Sequence, residues 1–203
     1  MREVYAHVLA PLVGLALLTT APSGGSPLNV VKSADAEIDR ILGGQNPSVE
    51  KLAARADDFI DFGELARRAL GTQWSSLSKR QQADFSSTMK GVLRASYAQK
   101  ALGDGRGGAK VEYQSEQVDG NEATVSTTLK VKDDVVPVQY RLFRVSPKVG
   151  WKIYDVVTDE VSLVSTYSDQ FRQVIAKKGV DGLLKALKAR QTQLEAQEKE
   201  KKP

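Results

Sequence analysis

One aspartate sits where a catalytic group would sit. In the segment GWKIYDVVTDE, residues 150–160, alternation places Trp151, Ile153 and Val157 on one strand face with Asp155 between them. Lys152, Tyr154 and Val156 take the other face. A carboxylate buried among apolar side chains has a raised pKa and can act as a general base. With Tyr140 or Tyr154 beside it, Asp155 could turn over an isoprenoid or steroid-like substrate. The competing reading pairs Asp155 with Arg141 or Arg144, or has it cap a local turn. That reading is favoured, because an unpaired buried acid is costly. Arg67-Arg68 offers a second choice, between a site for a phosphate or acidic partner and an ordinary ion-paired helix surface.

Little else in the 203 residues could do chemistry. There is no cysteine, which excludes disulfides, thiol catalysis, Cys-ligated metals and lipid attachment through a thiol. The sole histidine, His7, falls in a segment expected to be removed, leaving no Ser-His-Asp triad and no histidine metal site. No cofactor is expected. GDGRGG, residues 103–108, follows a predicted helix, precedes a strand and lacks a lysine-hydroxyl ending, so it reads as a connector rather than a phosphate loop. The net charge of +4 is scattered, with no basic stripe interleaved with aromatics, which argues against nucleic acid.

The elements that must position these residues are readable from caps and periodicity. Residues 1–23 have a short polar start, an apolar run too short to span a bilayer and small residues after it, the pattern of a secretory signal peptide. The mature domain is expected over residues 24–190, with a helical part at 26–103, a sheet at 109–158 and C-terminal helices at 160–190. Ser26-Pro27 opens a helix carrying Val31, Ala34, Ile38 and Ile41, which Gly43-Gly44 ends. Asn46-Pro47 opens a second with Val49, Leu52 and Ala56, Asp61 with Glu64 caps a third, and Ser78 with Gln81 caps a long fourth. Four strands follow, joined by turns at Asp119-Gly120, Asp133-Asp134 and Ser146-Pro147-Lys148, an antiparallel meander in an α+β chain. In the third, Val136, Val138, Tyr140 and Leu142 share a face. The long helix and the one at 160–178 are the expected covers of the apolar sheet face. A last helix starts at Asp181, and residues 191–203, charged and without an apolar face, are expected to be disordered.

Four segments taken together resemble the MlaC family, or toluene-tolerance (Tgt-type) auxiliary proteins: FIDFGELARRALG at 59–71, the long helix ending in RASYAQKALG, VPVQYRLFR, and GWKIYDVVTDEVSLVSTYSDQF. The resemblance runs from about residue 33 to 187 in the family's order. It implies a four-stranded NTF2-like meander packed with about six to seven helices around an apolar lipid cavity. It implies no enzyme, but a periplasmic phospholipid carrier that works, as a monomer, between an inner-membrane MCE-type ABC transporter complex and an outer-membrane lipoprotein complex, maintaining outer-membrane asymmetry. The sequence departs from the family at Asp159-Glu160-Val161, where a glycine is common. Given such a slot, the faces read above would line it with Val125, Leu129, Val138, Tyr140, Leu142, Trp151, Ile153 and Val157 from the sheet. Phe85, Met89, Leu93, Tyr97, Val164, Tyr167 and Phe171 would close it from the helices. Plain core packing is the alternative for each. A hopanoid or other terpenoid is the alternative cargo, and an NTF2-like enzyme using Asp155 the alternative activity.

Overall fold

The structure is a computed structural model that describes residues 25–103, 110–131 and 134–200. The signal segment and most of the glycine-rich connector lie outside the described residues. The helical part comprises α1 (Pro27–Leu42), α2 (Val49–Phe59), α3 (Phe62–Leu70), a 3-10 segment (Gly71–Ser76) and α4 (Lys79–Gly103). Local chemistry sets their starts. The Ser26 hydroxyl accepts from Asn29 N at 3.2 Å with Pro27 in the first turn, and Asp61 accepts from Glu64 N at 2.8 Å. At α4, Gln81 Oε1 accepts from Ser78 N at 3.0 Å while Ser78 Oγ accepts from Gln81 N at 3.3 Å, a reciprocal box. α2 starts two residues after Pro47, with Ser48 as its cap.

The sheet is antiparallel in the order β1 (Lys110–Asp119), β2 (Glu122–Val131), β3 (Asp134–Ser146), β4 (Gly150–Thr158) and β5 (Val161–Ser162). It has five strands where four were expected, because the chain does not pass straight from β4 into a helix. Asp159 and Glu160 adopt φ of 48° and 64°, making a two-residue hairpin that pairs Thr158 with Val161. The helix α5 therefore begins at Leu163 rather than Glu160. It continues to Glu200, but Gly179 (φ 66°, ψ −179°) is non-helical and divides it into the two C-terminal helices expected; counted as one element, it makes the α-helices among the described residues five, not six to seven. Residues 191–200, expected to be disordered, continue the helix, because Leu194 is buried against Val92 and Ala95 of α4; residues 201–203 lie outside the described residues.

Two cores organise the molecule. α3, α4 and α5 bury Leu65, Phe85, Met89, Leu93, Phe171 and Leu183 among themselves, with the Phe85 and Phe171 rings edge-on at 5.4 Å. The sheet buries Ala123, Val125, Leu142, Trp151 and Ile153 against Val31 of α1. The cover of this part of the sheet is thus α1, whereas the buried members of the α4–α5 core all come from helices and the loop at Leu77.

A bulge decides which way β4 faces. Arg141 pairs with Asp155 but Leu142 pairs with Ile153, so Tyr154 is an extra residue and the alternation reverses there. Residues directly opposite in an antiparallel pair share a face. Val156, opposite Tyr140, therefore joins the Ile153 side, and Asp155 and Val157 turn to the other face with Arg141 and Gln139. Strict alternation across residues 151–157, as read from the sequence, does not hold.

Candidate functional site

Between α1, α2 and the bulged end of the sheet lies a cavity of about 510 Å3, within the range of roughly 300–1,000 Å3 usual for small-molecule sites. α1 contributes Val31, Ala34, Ile38 and Ile41, and α2 contributes Leu52, Ala53, Ala56 and Phe59. Phe62 and Leu65 of α3 and Leu93 of α4 form the far wall, and Tyr140, Ile153, Val156 and Leu163 the sheet side. The lining is overwhelmingly hydrocarbon. Small residues on the inner helix faces, Ala34, Ala53 and Ala56, leave volume that larger side chains would have filled. The α2–α3 joint is stitched to the sheet by a parallel bridge between Ile60 and Ile153 and by Asp61 N donating to Ile153 O at 2.9 Å.

The charged side chains that border the cavity, the buried Asp155 among them, are paired. Glu37 accepts from both Arg40 and Arg55 at 2.8 Å, and the Arg40 hydrogen bond, reinforced by Arg55, holds its carboxyl at about 2. Arg55 also meets Asp58 at 2.6 Å. Arg94 donates to the Ala53 carbonyl and sits 3.5 Å from Asp57, which Lys90 reaches at 2.8 Å. Tyr154 borders the cavity, and burial pushes its hydroxyl up to about 12 against the opposing pull of Arg68, whose guanidinium lies 3.7 Å from the ring centre. Arg67 and Arg68 both bond Glu64, at 2.5 and 2.7 Å, and Arg68 also bonds Glu122; Arg67 and chiefly its hydrogen bond hold the Glu64 carboxyl below its usual range. Both arginines are ion-paired, and Arg68 ties α3 to β2.

Asp155 is 1% exposed and its oxygens are taken. It accepts from Ser162 Oγ at 2.7 Å, from Val164 N at 3.0 Å and from Arg141 at 3.2 Å. Ser162 Oγ in turn accepts from Ser165 N at 3.0 Å, so the acid and the serine together cap α5. The pairing and capping roles weighed from the sequence are both present.

Of the residues proposed from the sequence to line a slot, Leu93, Tyr140 and Ile153 border this cavity. Phe85, Met89 and Phe171 are interior to the α3–α5 core, with Val164 and Tyr167 packed against it. Val125, Leu142 and Trp151 belong to the sheet–α1 core. Val138 and Val157 are buried outside both clusters, Leu129 is half-buried on β2, and the Tyr97 side chain lies outside the described residues. The helix residues that do line the cavity come mainly from α1 and α2. Their periodicity was visible, as was their small-residue content, but nothing in either helix alone says what its apolar face meets. Among the described residues no group of three or more His, Cys, Asp or Glu could hold a metal ion, and no helix is long and apolar enough to cross a membrane.

The fold and site define a class: small α+β proteins in which helices hold an apolar cavity against an antiparallel sheet. The MlaC protein family model matches residues 29–189, and the chain belongs to that family. It is 24% identical over 144 residues to the intermembrane phospholipid transport system binding protein MlaC of Haemophilus influenzae, covering 69% of this chain and 67% of that protein. Among solved structures it is similar to a phospholipid-binding protein of Ralstonia solanacearum in complex with a phospholipid. That match has a TM-score of 0.71 and 29% identity, and covers 84% of this chain and 99% of the other.

Proposed function

We propose that the protein is a non-enzymatic periplasmic phospholipid carrier, passing lipid between an outer-membrane lipoprotein complex and an inner-membrane MCE-type transporter and so maintaining outer-membrane asymmetry. The observation that carries this reading is the hydrocarbon-lined cavity of about 510 Å3 whose bordering charges are paired. The phospholipid held by the Ralstonia relative supports the cargo class. Burying an acyl methylene gains about 0.8 kcal/mol against water, but cargo arriving from a bilayer leaves one apolar phase for another. The cavity need only match the bilayer, and an unadorned apolar lining does so. The commitment of Asp155 to three donors argues against a general base.

The test is organic extraction of protein purified from its native envelope, followed by mass spectrometry, together with uptake of labelled phospholipid from vesicles. Co-purified phospholipid and saturable uptake are expected. Neither appearing would refute the proposal, and a terpenoid in the extract would replace the cargo.

A further inference from the structure

α2 is held to α4 on one side, by Arg94 donating to the Ala53 carbonyl and by Lys90 and Arg94 at Asp57, and it meets α1 on the other. Its inner face, Leu52, Ala53, Ala56 and Phe59, looks into the cavity, and only Leu52 among these reaches full burial. Its far end is pinned through Ile60 to Ile153 of the sheet, while its near end hangs from the exposed Gly43-Gly44 connector. α1, by contrast, is fastened to the sheet along its first half: Val31 is in the sheet core, Leu28 N donates to Glu116 at 2.6 Å, and Tyr113 bonds Asp35 at 2.8 Å. The seam between α1 and α2 is closed by a small aliphatic cluster separate from both main cores, Ile38, Ile41, Leu42 and Leu52, and by the Glu37–Arg55 ion pair.

The ion pair has an unusual property. Glu37 keeps Arg40 on its own helix at 2.8 Å, and Arg55 keeps Asp58 on its own helix at 2.6 Å, each at a spacing of three residues. Parting α1 from α2 therefore leaves neither charge without a partner. We infer that the α1–α2 seam, between a helix held by the sheet and a helix held by α4, is the mouth of the cavity, and that the Glu37–Arg55 bridge is the latch whose release opens it to an acyl chain. This rests on the carrier reading.

Because the chain has no cysteine, the latch can be replaced by a cleavable link. Glu37→Cys with Arg55→Cys would be joined by a bismaleimide whose spacer contains a disulfide, and uptake of fluorescent phospholipid from phosphatidylethanolamine–phosphatidylglycerol vesicles followed. Asp169→Cys with Arg172→Cys, a pair lying within α5, serves as the control for the link itself. Without the link, uptake by the first pair should be about two- to fivefold faster than wild type, the effect of removing one exposed ion pair. With the link it should stop, and reduction should restore it, while the control pair is indifferent. The uncleavable charge-only variant Glu37→Gln should likewise speed uptake, and salt should speed wild type but not the variant. Uptake that continues in the linked protein would overturn the latched seam and leave the carrier reading standing. No uptake by wild type would overturn both.

Discussion

Replacing Asp155 by alanine should cost about 3–5 kcal/mol of stability, the usual loss when one partner of a buried charged network is removed. The carboxylate is 1% exposed and holds the Ser162 hydroxyl and the Val164 amide, so alanine leaves two donors without an acceptor at the start of α5. A hydrogen bond to a charged group contributes about 1.5–3 kcal/mol. Arg141 adds less, because its side chain is 42% exposed and can turn to water, and exposed pairs are worth about 0–1 kcal/mol. The losses overlap, so the sum stays below simple addition. Asp155→Asn keeps one acceptor oxygen but turns an amide toward Arg141 or Ser162, and should cost about 1.5–3 kcal/mol. Urea unfolding followed by circular dichroism measures both, with an unchanged m-value certifying that the midpoint reports stability. A loss under about 1 kcal/mol in the alanine variant would refute the capping role. An asparagine variant with wild-type stability and lipid uptake but a lost turnover would return Asp155 to catalysis.

Glu160→Gly should raise stability by about 0.5–1 kcal/mol, since it relieves a non-glycine residue at φ 64° at some cost in unfolded-chain entropy; a thermal melt without a higher midpoint would count against strain in the β4–β5 turn. Gly179→Ala should lower stability by about 1–3 kcal/mol in urea, through backbone conformation alone, because no atom lies within 4 Å of where its Cβ would be. Glu37 is held at about 2, below its ordinary 4.5, so the stability it adds is present above its unfolded pKa and is lost as pH falls toward 2. The stability gap between wild type and Glu37→Gln should accordingly close between pH 4.5 and 2; a constant gap would show that the pairing is not what the variant removes. Ala34→Trp should fill the cavity from α1 and cut recovered phospholipid about tenfold, roughly 1.4 kcal/mol of binding, while leaving the urea midpoint near wild type.

The starts of α1, α3 and α4 were legible because each is a local chemical event. Ser26, Asp61 and Ser78 bond amides within three residues, and that spacing is written in the chain. The meander was legible for the same reason, through its short turns, although the tight turn after β1 falls at Gly120-Asn121, one residue later than read. The β3 face also holds, with Val136, Val138, Tyr140 and Leu142 opposite Leu129, Thr127, Val125 and Ala123. What failed to show depends on partners distant in sequence. The bulge at Tyr154 is fixed by pairing with β3, and a period of two carries no warning of it. Leu194 is an isolated apolar residue in a charged tail, and only the groove of α4 makes it a core residue. The cavity lies under α1 and α2 rather than α4 and α5, since an amphipathic stripe looks the same facing a filled core or an open space. The family resemblance supplied the existence of a cavity; the packing supplied its walls.

The fastening of α1 also bears on how the chain is assembled. α1 and α2 come before the sheet in sequence, yet their anchors are 88, 78 and 95 residues away, at Glu116, Tyr113 and Lys152. Until β1 to β4 have paired, α1 has no sheet to rest on and α2 has only α4, so the faces that enclose the cavity stand open. Contacts this non-local close late and slowly. The cavity should therefore be the last part of the molecule to be sealed, and a newly made chain would pass through an interval in which its earliest segments are its most adhesive ones.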